Sequence, residues 1–226
     1  MNDVKLGGWL DLFKNKTNSK QVTEEFELQG NVSVAIRSDE EMTSIDKKAA
    51  DIFFKEQKKK MDSFLQQKGF VKYKTNSYVR RNNVDVLEYI NLQKEQYGSK
   101  TFTVNYALIA LYVSRSFLSY DLGDRLGKLI CDKDVWWDYS NEQIAEVSFR
   151  NVMDAIDIYL LPWFEERENK ESLKEELLRE EAIRKSYGGR LSDIQQAWLD
   201  VIDSEEDYSG IISSNIDNFK LPKKLH

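Results

Sequence analysis

Two spacings of apolar residues divide this chain. Between about Asp46 and Lys68, Ala50, Phe53, Phe54, Gln57, Met61, Phe64 and Leu65 fall near one stripe of a helix, which turns every ~3.6 residues. Gly69 stands where a left-handed cap ends such a helix. The spacing then changes to alternation. Phe70 to Lys74 and Ser77 to Arg81 pair across Thr75-Asn76. Val84 to Gln93 places Val84, Val86, Glu88, Ile90 and Leu92 on one side, and Thr101 to Tyr112 does the same with Phe102, Val104, Tyr106 and Leu108. Consecutive strands joined by short turns predict an antiparallel meander. The absence of a strand-helix-strand rhythm argues against a parallel nucleotide-binding sheet.

Ahead of this region, Trp9, Leu10, Leu12 and Phe13 form a small apolar cluster, and Phe26 to Leu28 and Val32 to Ile36 flank Gly30-Asn31. That arrangement predicts a β-hairpin. After it, residues 114 to 139 read as irregular, with Arg125 to Ile130 as a short strand or helical turn. Ser140 with Gln143 fits a capping box, opening a helix lined by Ile144, Val147, Val152, Ala155, Tyr159 and Trp163. Pro162 is expected to kink or stop it. A charged helix spans about Glu171 to Lys185, closed by Gly188-Gly189. A last helix opens at Ser192, again with Gln195 three residues on, and presents Ile194, Trp198, Val201 and Ile202. The rest reads as an acidic tail. The fold class expected is α+β, an antiparallel sheet of four or more strands packed against several helices. The expected parts are an extension over 1–44, a core domain over 45–168, and a helical extension with tail over 169–226.

Composition narrows the function. Hydrophobic residues make up 41% of 226, enough for a buried core, and no run reaches the length of a membrane span. Residues 1–17 contain no apolar run of signal length, and the one cysteine, Cys131, has no internal disulfide partner. Both point to a cytoplasmic setting. The single histidine is His226, so a Ser-His-Asp triad or a histidine zinc site has nothing to build on. The net charge of −6 is unevenly distributed: Ile45 to Arg81 carries eleven Lys/Arg against four Asp/Glu, and Asn141 to Gly210 eight against eighteen. Such asymmetry makes either two solvated faces that pair within the fold or a surface that steers a charged partner.

Gly69-Phe70, Tyr78-Val79-Arg80, Asn91-Leu92-Gln93, Phe102-Thr103-Val104-Asn105, Arg125-Leu126-Gly127, Asp134-Val135-Trp136-Trp137 and Leu161-Pro162-Trp163 follow one another in an order that resembles an uncharacterised bacterial family, the domain of unknown function 4304, over about residues 48–168. The resemblance implies an α+β fold with an antiparallel sheet and no assigned activity.

Two groups of residues are candidate sites. Arg125, Asp134, Trp136 and Trp137 make either a ligand or partner groove with an aromatic wall or a structural corner in which Arg125 and Asp134 pair. Lys72, Lys74, Arg80 and Arg81, interleaved with Phe70, Tyr73 and Tyr78, make either a basic surface or a strand edge protected by lysine. The overall acidity disfavours nucleic acid. Asp132, Asp134 and Asp138 lack the glycine and distal glutamate of a calcium loop, so no metal is expected. Glu88 is the one strand carboxylate placed for burial, more in keeping with a salt bridge than with catalysis. Cys131 is read as an inert core residue. No cofactor is expected. These features favour a non-enzymatic module that binds another protein, of the inhibitor or immunity type. A small-ligand binder or enzyme with a pocket at the tryptophan corner, and nucleic-acid binding through the basic helix and hairpin, stand as alternatives. A homo-oligomer remains open.

Overall fold

The structure is a computed structural model, and it describes residues 44–225. The hairpin expected around Gly30-Asn31 and the apolar cluster at Trp9 lie outside those residues. Helix α1 (Ser44–Gln67) leads into β1 (Val71–Lys74), β2 (Ser77–Arg81), β3 (Val86–Lys94) and β4 (Thr101–Ala110). These strands follow the alternation in the sequence and pair in chain order, all antiparallel. On α1, Ala50, Phe54, Met61 and Leu65 are buried against the sheet, as their stripe predicts.

The stretch expected to be irregular contains more order than its pattern revealed. β5 (Leu122–Arg125) pairs with one end of β4, helix α2 (Leu126–Cys131) follows directly, and β6 (Trp137–Asp138) pairs with the other end of β4. Among the described residues the fold is α+β, built on a six-stranded antiparallel sheet.

Helix α3 (Glu142–Ala155) is capped by Asn141, whose side chain accepts from the Ile144 N–H. The expected Ser140–Gln143 box is therefore replaced by a single side-chain cap at Asn141. Val152 and Ala155 face inward as expected, together with Ala145, Ser148 and Phe149, while Ile144 and Val147, expected inside, are exposed. Pro162 does not stop the helix. A wide π turn (Ile156–Leu160) precedes α4 (Leu161–Glu165), with Pro162 in its first turn. Proline lacks an N–H and collides with the carbonyl four residues back; widening the turn just before it lets the chain continue.

Helix α5 (Lys170–Ser186) comes next, then α6 (Asp193–Val201), where Ser192 and Gln195 form the expected capping box. The acidic tail holds a further helix, α7 (Ser209–Phe219), which the sequence reading missed, and a short 3₁₀ turn (Lys223–Leu225).

The sheet is buried on both sides. One face packs Val86, Ile90, Leu92, Phe102, Val104 and Leu108 under the helix layer, with Trp198 of α6 in the same cluster. On the other face Val79, Leu87, Ala107, Ile109 and Leu111 lie beneath Ile216, Phe219, Leu221 and Leu225. Asn215 of α7 is buried and donates from Nδ2 to the carbonyls of Leu111 and Val113, at 2.7 and 2.8 Å. That side-chain amide satisfies two carbonyls at the point where β4 runs out. No helix among the described residues is long and apolar enough to cross a membrane.

Candidate functional site

Alternation along a strand sends neighbouring side chains to opposite faces, and this decides the fate of the adjacent tryptophans. Trp137 pairs with Phe102 in the sheet and joins the core, its ring 6.0 Å from that of Phe102. Trp136 is half-buried, and the Arg125 guanidinium lies over its ring at 5.3 Å. Arg125 also pairs with Asp134. Three of the four candidate residues come together, with the Arg125 guanidinium shared between the Asp134 carboxylate and the Trp136 indole, and Trp137 is turned away from them into the core. Gly127 sets the geometry: a Cβ there would stand 2.5 Å from both the Lys133 carbonyl and the Val135 N–H nitrogen. Only glycine allows the α2 backbone to lie this close to the segment that brings Asp134 back to Arg125.

The basic candidates do not form one surface. Arg80 and Arg81 occupy successive strand positions and point to opposite faces. Arg80 donates from Nε to Glu88 at 2.6 Å and from Nη1 to the Lys68 carbonyl. Arg81 pairs with Asp85 and donates to the Leu225 carbonyl. Lys72 pairs with Asp62, which also accepts from Lys58 and the Tyr78 hydroxyl. Burial pushes the Asp62 carboxyl up, and these three donors outweigh it, holding its pKa below the usual value. Of the four, Lys74 alone has no carboxylate partner among the described residues; its ammonium lies 4.8 Å from the Tyr73 ring centre.

Glu88 is fully buried. Burial raises its pKa, and the facing Arg80 offsets part of that rise. One carboxylate oxygen, Oε1, and the Arg80 Nη2 have no hydrogen-bond partner. Cys131 is exposed, contrary to the core position expected of it, because it ends α2 on the solvent side. Among the described residues no trio of metal-ligating side chains is gathered.

The second sheet face carries a polar ladder beyond the reach of α7. Asn91 donates to Ser77 Oγ at 3.0 Å; Asn105 donates to Asn91 at 3.3 Å and to Gln93 at 2.9 Å. Arg125 lies in register with Asn105. Several residues that carry the family resemblance therefore share one face.

Two concave surfaces flank α7. The first is a cleft of about 570 Å³ between the β2–β3 turn, the loop before α7 and the first turns of α7. Val84, Val201, Tyr208 and Ile212 lie among its apolar lining, and Asp85, Glu206, Asp207 and Asp217 supply carboxylates against the cations Arg81 and Lys170. Arg81 is already paired with Asp85. Asp207 accepts from the Ser209 N–H, which lowers its pKa and tethers the loop to the helix. The second is a groove of about 750 Å³ at the far end of α7, between Tyr73, Lys74, Tyr89, the 116–120 loop and Lys220. Neither surface is marked by a motif in the sequence. Both depend on α7, and its short runs between serines and glycine conceal it, though Ile211, Ile212, Ile216 and Phe219 keep a helical spacing.

No curated protein and no solved structure matches this chain. Residues 61–166, which span the sheet and the helices from the end of α1 to α4, match the family described as Domain of unknown function (DUF4304).

Proposed function

We propose that the chain is a non-enzymatic protein-binding module of the inhibitor or immunity type, whose acidic cleft receives a basic segment of a partner. The observation that carries this reading is the cleft beside α7, where Glu206, Asp207 and Asp217 stand around an apolar floor. An apolar floor supplies contact area, and a carboxylate rim speeds association with a basic partner and discriminates against acidic ones. The imbalance of eighteen acidic to eight basic residues between Asn141 and Gly210 extends the same field beyond the rim.

The test is capture of partners from host lysate by immobilised protein and by a Glu206→Gln/Asp207→Asn/Asp217→Asn variant, at about 50 mM and about 500 mM salt. The reading expects a stoichiometric basic protein, held at low salt, released at high salt and lost with the variant. A partner bound equally by the variant at both salt concentrations would overturn it.

A further inference from the structure

The groove at the C-terminal end of α7 differs from the cleft in both charge and chemistry. Its lining is aromatic, and Phe117 and Tyr120 are 69% and 50% exposed. Large aromatic side chains left this open are enriched at the centres of protein interfaces. In a chain of net charge −6, the described residues lining this groove include two lysines and no carboxylate. Neither Lys74 nor Lys220 has an ion-pair partner among the described residues, whereas Lys72, Arg80 and Arg81 are all paired.

The aromatics sit on a fixed base. Tyr73 donates to the Phe219 carbonyl at 2.7 Å, Tyr89 shares a hydrogen with Ser77 Oγ at 2.8 Å, and the Tyr89 and Tyr120 rings lie 5.1 Å apart. A preformed floor lowers the ordering cost of binding.

We infer that this groove is a second docking surface, for an acidic partner segment that seats apolar side chains against Phe117 and Tyr120 and carboxylates against Lys74 and Lys220. Single-stranded nucleic acid also offers flat rings and negative charge, but its affinity rests on the number of phosphates neutralised. Two lysines release about two counterions, against the six to ten phosphate contacts of an effective binder, and the net negative chain opposes a polyanion. A segment with a few carboxylates and apolar anchors satisfies what the groove presents.

The experiment is selection from a random-peptide display library on the full chain, followed by affinity measurement on Phe117→Ser, Lys74→Glu and Lys220→Glu proteins. Phe117 is exposed, so its replacement leaves the core intact. Enriched peptides should be acidic with aromatic or aliphatic anchors, and each substitution should weaken them by about tenfold or more. Neutral or basic enrichment, no enrichment, or equal binding by the three variants overturns the inference. So does an oligothymidylate that binds more tightly than the selected peptides. Because the groove and the acidic cleft have separate lining residues, peptide binding by the cleft variant distinguishes failure of one reading from failure of the other.

Discussion

Arg115 and Asp121 face each other in the interior through two hydrogen bonds, Nη1 to Oδ1 at 2.6 Å and Nη2 to Oδ2 at 2.7 Å, and so close the loop that carries Phe117 and Tyr120. Both side chains are almost wholly out of water. The pair is tied to the body on two sides: Asp121 accepts from the Ala110 N–H, Arg115 donates to the Ala110 carbonyl, and Gln195 of α6 donates to the Asp121 carbonyl. Burial pushes the Asp121 carboxyl up, and Arg115 pulls it back. Removing one partner of a buried pair strands the other charge. Arg115→Met should therefore lower stability by about 3–5 kcal/mol in urea unfolding, while replacing both residues with apolar ones recovers most of the loss. Proteolytic nicking confined to 116–120 should accelerate in the single variant, since the clamp holds that loop.

Arg80 and Glu88 form a second internal pair with a different pH signature. Burial raises the Glu88 pKa despite Arg80, so the folded protein keeps that proton longer than the unfolded chain does. The contribution is fully present below the ordinary glutamate range and lost as pH rises through the raised value. Glu88→Gln cannot ionise. Its stability relative to the parent should grow as pH goes from about 4 to about 8, and urea titrations of both proteins at several pH values read the difference directly. A gap that does not change with pH would show that Glu88 is ionised with equal ease in both states.

Gly127→Ala tests the tryptophan corner through the backbone alone. The added carbon would meet two backbone atoms at 2.5 Å, and neither can rotate away. The chain between α2 and β6 must shift, drawing Asp134 from Arg125. A loss of about 1–3 kcal/mol is expected from overpacking of this kind. The Arg125→Ala protein, which removes the ion pair without moving backbone, should lose less, because half-exposed pairs contribute about 0–1 kcal/mol.

Which parts of the fold were legible follows from how much of each pattern is local. Strands β1 to β4 announced themselves through alternating positions joined by short turns, even though β3 and β4 are buried on both faces, and the stripe on α1 was clear because it buries one side of the helix. β5 and β6 were not legible, and α2 was legible only as a short strand or helical turn over Arg125 to Ile130. β5, α2 and β6 are four, six and two residues long, too short for a period to show, and they are held by pairing with β4 rather than by their own propensity. The choice of Asn141 over Ser140 as cap depends on backbone angles, and whether Ile144 or Ala145 faces inward depends on packing against the rest of the fold. At the tryptophan corner the pairing of Arg125 with Asp134 was one of the two arrangements the spacing suggested, and the burial of Trp137 away from that pair was not. The surfaces beside α7 were not legible, because they join segments more than a hundred residues apart: Asp85 with Asp217 in the cleft, and Lys74 with Lys220 in the groove.

Trp136 and Trp137 separate structural from surface roles within one dipeptide. Trp137 is in the core beside Phe102, so Trp137→Ala removes a large buried ring and should cost about 3–5 kcal/mol. Trp136 is half-buried and holds Arg125 over its ring. Trp136→Ala should cost less, about 1–2 kcal/mol, from lost area and a partly solvated cation–π contact. Replacing it with Phe should restore much of that, because a ring face is all the guanidinium needs, whereas Phe in place of Trp137 still leaves a cavity. Urea unfolding of the four proteins measures both differences. Equal losses for the two alanine variants would mean that Trp136 is as deep in the packing as its neighbour, which would make the corner purely structural. A small loss at Trp136 leaves its ring and Arg125 as a surface that a partner can meet without disturbing the core.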